Sequence, residues 1–447
     1  VNELSHKLIK GLIFICIFSF LSNQEGSANE QGSPDNLQNL IRLAKPGETL
    51  LIQAGDYKGP IIIDKPLHLK VVNGKVRIRN ESKQPAIQIK ADHSRLTGIE
   101  IVDSLSKESA AIVITGNDNI LENLAIQTKS SGIQLSNASH NTIRETRIIW
   151  LEQKDEPPAK MSQKGNGIDL WKSHQNNIIE NTVVNLHDGI YLENSNLNQV
   201  ESNRIDYSRY GIHCMYTNGT IIRHNVGSYN VTGAMIMGAK NTQVIGNTFY
   251  KQSENVNSQG LLLYDVQTSI IERNRLEGNR VGMYVEQSQN NDLRNNVIHQ
   301  NFIGLQLKNA QQNTCHSNLF YANVIQAEGI DSRNNQLKEN YWDNFQGIDM
   351  ANTGHSSIPY AINPFFQKLT EAVPAYQLFF QSPGMFFLES MFMTNQDSWT
   401  KDTSPLIRPP LTTDIHRSLQ SKNTLWMGVF LFVASISTIF YLGVRRI

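Results

Sequence analysis

Gly167-Ile168-Asp169-Leu170-Trp171 returns in outline as Gly189-Ile190-Tyr191-Leu192-Glu193, Gly211-Ile212-His213-Cys214-Met215 and Gly233-Ala234-Met235-Ile236-Met237, each 22 residues after the last. Gly132 precedes this series, and Gly260, Gly282, Gly304 and Gly329 extend it by steps of 27, 22, 22 and 25. A second column, Asn181, Asn203, Asn225, Asn247, Asn274, Asn296, Asn318 and Asn340, keeps the same phase. A fixed period of this size means stacked units. Within each unit apolar and polar residues alternate, which is strand periodicity. No helix of useful length fits between such strands. Asparagines at a repeated turn hydrogen-bond along a stack and tolerate the left-handed backbone of tight corners. The pattern predicts an all-β fold, a right-handed parallel β-helix of 22-residue coils, each rising ~4.8 Å.

Alternation then assigns faces. After each repeat glycine the first and third residues point inward, as in Ile190/Leu192, Ile212/Cys214, Ala234/Ile236 and Leu261/Leu263. The second and fourth point outward and form two columns. One is Asp169, Tyr191, His213, Met235, Leu262, Tyr284, Gln306. The other is Trp171, Glu193, Met215, Met237, Tyr264, Glu286, Lys308. His213 falls beneath Met235 and Met215 beneath Met237. His213, Met215, Met235 and Met237 are therefore the candidate metal ligands, on an exposed face. Thioethers and imidazole without carboxylates favour Cu(I). The competing reading is a hydrophobic patch covered by a loop or a partner.

Cys214 is placed in the core as a small hydrophobe. It lies about four coils from Cys315, roughly 20 Å at the spacing of stacked strands, whereas a disulfide needs α-carbons within about 7 Å. No catalytic residue is assigned. Glycoside hydrolysis requires two carboxyls ~5–9.5 Å apart, and no two carboxylates share neighbouring positions in either column. Asp169 and Glu193 approach only diagonally, with His187-Asp188 at a nearby turn. There is no nucleophile motif, phosphate loop or zinc spacing. Lys+Arg and Asp+Glu both total 40, so no strong field recruits nucleic acid.

The ends suggest export and anchoring. Residues 1–28 read as a signal peptide: Lys7 and Lys10, an uncharged run from Gly11 to Ser22, then Gly26-Ser27-Ala28. The β-helix is expected over 35–340, opening on a short helix near 36–44 that Pro46-Gly47 stops. Leu151 to Gly165 and Gln252 to Ser258 must loop out. Residues 341–393 read as a cap of short helices separated by Pro364, Pro374 and Pro383, which seals the open end or docks on a membrane partner. Residues 394–424 read as a linker, and 425–444 as one C-terminal transmembrane helix. Arg445 and Arg446 place the tail in the cytoplasm.

Arg209-Tyr210-Gly211-Ile212-His213-Cys214-Met215-Tyr216, followed one coil later by Gly233-Ala234-Met235-Ile236-Met237, resembles the signature of the NosD family. These are periplasmic β-helix proteins, pectin-lyase-like in fold, of nitrous-oxide reductase maturation. Asn340-Tyr341-Trp342, Gly347-Ile348-Asp349, Leu378-Phe379-Phe380-Gln381-Ser382-Pro383 and Pro405-Leu406-Ile407-Arg408-Pro409-Pro410 carry the resemblance into the cap. It implies an accessory role, not an enzymatic one. Copper would pass transiently from a lipoprotein copper chaperone toward the copper-sulfur centre of nitrous-oxide reductase, in partnership with the permease and ATPase of an ABC transporter. Two features depart from the family. Of the alternating aspartates of a calcium-like cap loop only Asp349 remains, with Ala351, Thr353 and Ser357 at the matching positions. The C-terminal apolar helix is also unlike the usual soluble form. Two alternatives stay open: a carbohydrate-active β-helix enzyme, and a sulfur-handling or docking scaffold that binds no copper.

Overall fold

A computed structural model describes residues 37–153, 156–252, 258–380, 382–392, 399–410 and 422–443. The expected signal peptide lies outside these residues. The chain winds into a right-handed parallel β-solenoid of about 13 coils. Each coil contributes one strand to each of three long sheets, with 15, 13 and 12 strands. Pairing between coils is parallel throughout and in step with the sequence period: Ile168 opposes Ile190, and Ile190 opposes Ile212. The apolar positions that alternate along every strand form one continuous core down the axis. The helix expected at the start is present as Leu37–Leu43, burying Leu37 and Ile41 over the first coil.

The asparagine column is a buried ladder. Asn203 donates its backbone N–H (2.9 Å) and its Nδ2 (3.0 Å) to Oδ1 of Asn225, and Nδ2 also reaches the carbonyl of Ile178 at 2.8 Å. The stretch Asn177–Val183 is not one strand, because the chain turns a corner inside it, between Asn177–Ile179 and Thr182–Val184. The left-handed backbone at these corners belongs not to the ladder asparagine but to the residue before it: Glu180, Ser202, His224 and Gly246 all have φ between 55° and 64°. The turn needs that residue's backbone, and the asparagine side chain then spans coil to coil. Two further ladders occupy other corners, through Asn141, Asn176 and Asn198 and through Asn279, Asn301 and Asn323.

The glycine column is a steric requirement. A Cβ on Gly233 would sit 2.5 Å from the carbonyl oxygen of Gly260 and 2.6 Å from the Phe249 ring. Gly329 does not belong to this column. It pairs with Leu307, and the place above Gly304 is taken by Gln326. The period is therefore 22 here too, and the apparent step of 25 reflects a glycine at a different strand position.

The end of the solenoid also differs from expectation. Residues 401–407, expected in a linker, build the seal. Lys401–Asp402 pairs with Leu337 and with Tyr360–Ala361. Oδ2 of Asp402 terminates the ladder, accepting from the N–H and Nδ2 of Asn340 and from Nε1 of Trp342. Trp342 stacks between Phe320 and Tyr360. The short helices Phe365–Ala372 and Pro383–Met391 do form, with a 3-10 turn Pro374–Phe379 between them. They lie on the flank of the last coils, not over the mouth. Phe366, Phe380 and Met385 pack on Val281, Ile303 and Ile325. Leu378, Phe379, Phe387, Leu388 and Met391 stay exposed.

An apolar helix, Lys422–Gly443, stands where the transmembrane helix is expected, with Trp426, Phe430, Leu431 and Phe432 exposed. Among the described residues no helix is long and apolar enough to cross a membrane. Several side chains of this helix fall outside that description.

Candidate functional site

The third-sheet strands Asp188–Glu193, Tyr210–Met215 and Thr232–Met237 stack in the expected register. His213 opposes Met235, and Met215 opposes Met237. One coil below, Tyr191 and Glu193 oppose His213 and Met215; one coil above, Leu262 and Tyr264 oppose Met235 and Met237. The four candidate ligands therefore occupy two adjacent strands, about 4.8 Å apart.

Their exposure needs correction. The three methionines are half-buried, and His213 is buried, with 7 % of its surface accessible. The cause is a group that the alternation left at a turn. Asp188 is the first residue of its strand and is buried. Its Oδ2 lies 2.9 Å from Nδ1 of His213, and Arg209 donates to both carboxylate oxygens, Nε to Oδ1 at 2.9 Å and Nη2 to Oδ2 at 2.8 Å. Burial alone would raise the Asp188 carboxyl. The hydrogen bonds and charges of His213 and Arg209 outweigh it and hold the group below the ordinary carboxylate value. Two rings enclose the imidazole: Tyr191 from the coil below, tilted at 4.9 Å, and Tyr210, edge-on at 4.9 Å. Nε2 of His213 is buried and has no hydrogen-bond partner among the described residues. A buried nitrogen without a partner costs free energy unless something binds it.

Cys214, between the two outward side chains, points into the core, and burial pushes its thiol up to about 12. It supplies no thiolate here. Cys214 and Cys315 are both buried and unpaired with each other, as the coil count implied.

The acidic neighbours form a separate group. Tyr191 donates its hydroxyl to Glu193 at 2.8 Å. Asp169, one coil lower, accepts from Nδ2 of Asn166 at 3.1 Å. Burial, together with the nearby charges of Glu193 and Asp188, pushes its carboxyl up to about 6 against the pull of that hydrogen bond. Among the described residues no three His, Cys, Asp or Glu side chains converge as a metal site. Any soft-metal site here rests on one imidazole and thioethers.

Residues 152–352, which hold this whole constellation, match the family described as "Periplasmic copper-binding protein (NosD)". This stretch of the chain is NosD-like. No curated protein matches the chain. Several solved β-helix structures resemble it. DFA-IIIase from Arthrobacter chlorophenolicus A6 without its lid is 11% identical over 71% of this chain and 94% of its own, with a TM-score of 0.50. A mannuronic acid specific polysaccharide family 6 lyase from human gut microbiota is 12% identical over 79% and 95%, with a TM-score of 0.48. The periplasmic alginate epimerase AlgG is 15% identical over 68% and 75%, with a TM-score of 0.43. At such identities the likeness concerns the solenoid, not its chemistry. The NosD-like stretch contains the His213 and Met237 coils and Asp349, and stops short of the flanking helices and the apolar C-terminal helix.

Proposed function

We propose that the chain is an extracytoplasmic accessory protein that holds Cu(I) as cargo at His213, Met215, Met235 and Met237. One observation carries the reading: a buried imidazole whose Nε2 has no partner lies in register with three methionines, inside the NosD-like stretch. A neutral imidazole and thioethers are soft, uncharged donors suited to Cu(I). Half-burial of the thioethers leaves the ion exchangeable, as a transfer site requires. In this reading the copper comes from a lipoprotein chaperone and goes to the copper-sulfur centre of nitrous-oxide reductase. An ABC transporter permease and ATPase is the working partner. The exposed side chains Leu378, Phe379, Phe387 and Leu388 supply the docking contact with it. A single-pass anchor with a cytoplasmic tail over residues 425–444 rests on the uncharged run of the sequence and not on the described helix.

The test is a Cu(I) titration of the wild type and of Met215→Leu/Met237→Leu, which keeps bulk and removes two sulfurs. Affinity is expected to fall at least about tenfold, or 1.4 kcal/mol, with no comparable Zn(II) affinity in either protein. An unchanged titration leaves the chain a docking or sulfur-handling scaffold.

A second reading, a carbohydrate-active enzyme, is favoured by Asp169, whose carboxyl is held near the range of a general acid. Polysaccharide cleavage by the purified protein, abolished in Asp169→Asn, would carry that reading.

A further inference from the structure

The unpartnered nitrogen of His213 is only half of an arrangement. The other nitrogen of the ring faces a carboxylate from the coil below, and that carboxylate is itself gripped by a guanidinium. We propose that Asp188, held in place by Arg209, is the positioning residue of the cargo site: it fixes His213 in the tautomer that keeps its proton on Nδ1 and offers the Nε2 lone pair to a soft metal ion. The inference rests on the copper reading of the same site.

The geometry leaves little choice of tautomer. Asp188 and His213 approach at 2.9 Å through Oδ2 and Nδ1. A carboxylate only accepts, so Nδ1 must donate. Neutral imidazole carries one proton, which leaves Nε2 as the bare acceptor. Arg209 supplies the remaining constraint. Its two hydrogen bonds engage both oxygens, so the carboxylate plane cannot rotate away from the ring. The guanidinium is in turn seated over the Tyr210 ring at 4.4 Å, and Tyr210 meets His213 edge-on. Arg209, Tyr210, Asp188 and His213 thus form one interlocked group spanning two coils.

Ligating histidines ordinarily donate their second N–H to a carboxylate or carbonyl, and loss of that partner costs about 10–100-fold in metal affinity. On the far side of the ring Nε2 is buried and has no hydrogen-bond partner among the described residues, and unlike His299, whose ring nitrogens equally lack one, this ring lies in register with three methionines.

The sequence holds the signal in retrospect. Asp188 immediately precedes Gly189, where the equivalent positions of later coils carry Tyr210, Thr232, Gln259 and Val281. Asp188 is the one carboxylate among these five positions.

The experiment reads tautomer and affinity separately. Nitrogen NMR of the metal-free full chain with labelled histidine, at neutral pH, is expected to show His213 with a protonated Nδ1 and a bare Nε2. Asp188→Ala removes the acceptor without touching a ligand, so the Nε2–H form should appear and Cu(I) affinity should drop 10–100-fold. Arg209→Gln keeps the carboxylate, so the Nδ1–H form should persist with a smaller loss of affinity. Met215→Leu/Met237→Leu should weaken copper binding and leave the tautomer as in wild type. A protonated Nε2 in the metal-free wild type would overturn the proposal, even if Asp188→Ala failed to fold. So would an unaltered tautomer in folded Asp188→Ala. Absence of Cu(I) binding to a wild type that shows the expected tautomer would sink the copper reading and leave Asp188's control of the ring standing.

Discussion

The coils from Asp188 to Met237 and those from Val281 to Ile330 share one backbone and an outward tyrosine–glutamate pair, Tyr191 with Glu193 and Tyr284 with Glu286, and differ in the rest of what the third sheet turns outward. Both use six-residue strands in the third sheet and the same alternating core. In the later coils the outward polar groups of the third sheet answer one another, while on the second sheet the buried ring nitrogens of His299, stacked on Tyr321, make no hydrogen bond among the described residues. Lys308 pairs with Glu286 at 2.9 Å, and Gln306 donates to Glu328 at 3.1 Å. Their strand starts, Val281, Ile303 and Ile325, lie under Phe366, Phe380 and Met385. In the earlier coils the outward groups close on themselves only in part: Tyr191 pairs with Glu193, and Asp188 with Arg209 and one side of His213. Three thioethers have nothing polar to pair with, and one imidazole nitrogen is unpartnered. The solenoid is a neutral rack. What a coil does depends on whether its outward residues satisfy each other or leave donors for something else.

The sharpest way to break this comparison is to strip the cover from one region and watch the other. Phe380 is almost fully buried against Phe302 and Phe366. Phe380→Ala is expected to cost about 3–5 kcal/mol of local stability. Contacts between coils run mainly to nearest neighbours, so the loss should stay near the flanking helices. Hydrogen exchange should show faster amides over 281–330 and unchanged protection at 188–237. Cu(I) affinity should not move. Equal loosening of both regions would mean that the solenoid opens as one cooperative block.

The shared backbone has its own test. A Cβ on Gly233 meets the Gly260 carbonyl at 2.5 Å, and one on Gly282 meets the Gly304 carbonyl at 2.7 Å. Backbone cannot yield as a flexible side chain does. Both alanine variants should therefore be destabilised to a similar degree, by about 1–3 kcal/mol as for an overpacked core. Chemical denaturation with unchanged m-value would read it. A tolerant Gly282 beside an intolerant Gly233 would show that the two regions are not one scaffold.

The legible and illegible parts of this molecule divide on the same physical line. Period and alternation are local properties of the chain. They placed Ile212, Cys214, Ala234 and Ile236 in the core and set His213 under Met235. What they could not place were side chains that act across coils. Asp188 lies 25 residues before His213, and its carboxylate reaches diagonally to the next strand, so counting within a strand left it at a turn and His213 on an open face. Asp402 lies 62 residues from Asn340; a polar stretch with prolines reads as linker until Asp402 is seen to finish the asparagine ladder. The flanking helices were legible as helices, from prolines and aromatics. Their seat on the side of the last coils was not, because nothing in their own sequence says which surface receives them.

The smallest expected effect lies just below the candidate site, where the earlier region carries a cost that the later one lacks. Asp169 is half-buried, and its carboxyl is pushed up to about 6 from 3.8, chiefly by burial and further by the charges of Glu193 and Asp188. A raised acid binds its proton more tightly in the folded state than in the unfolded chain. Its contribution to stability is therefore fully present below pH 3.8 and is lost as pH rises through 6. Asp169→Asn keeps the shape and stays neutral at every pH. The variant should match the wild type near pH 4 and become the more stable protein by pH 8. The gain is about 1 kcal/mol once the partial exposure of the group is allowed for. The observable is the difference in melting temperature between the two proteins across that range. It should open between pH 4 and 7 and then stay constant. A difference that is flat from pH 4 to 8 would mean that Asp169 ionises as an ordinary surface carboxylate. The earlier coils would then lack the one titrating group that favours a carbohydrate chemistry over a soft-metal site.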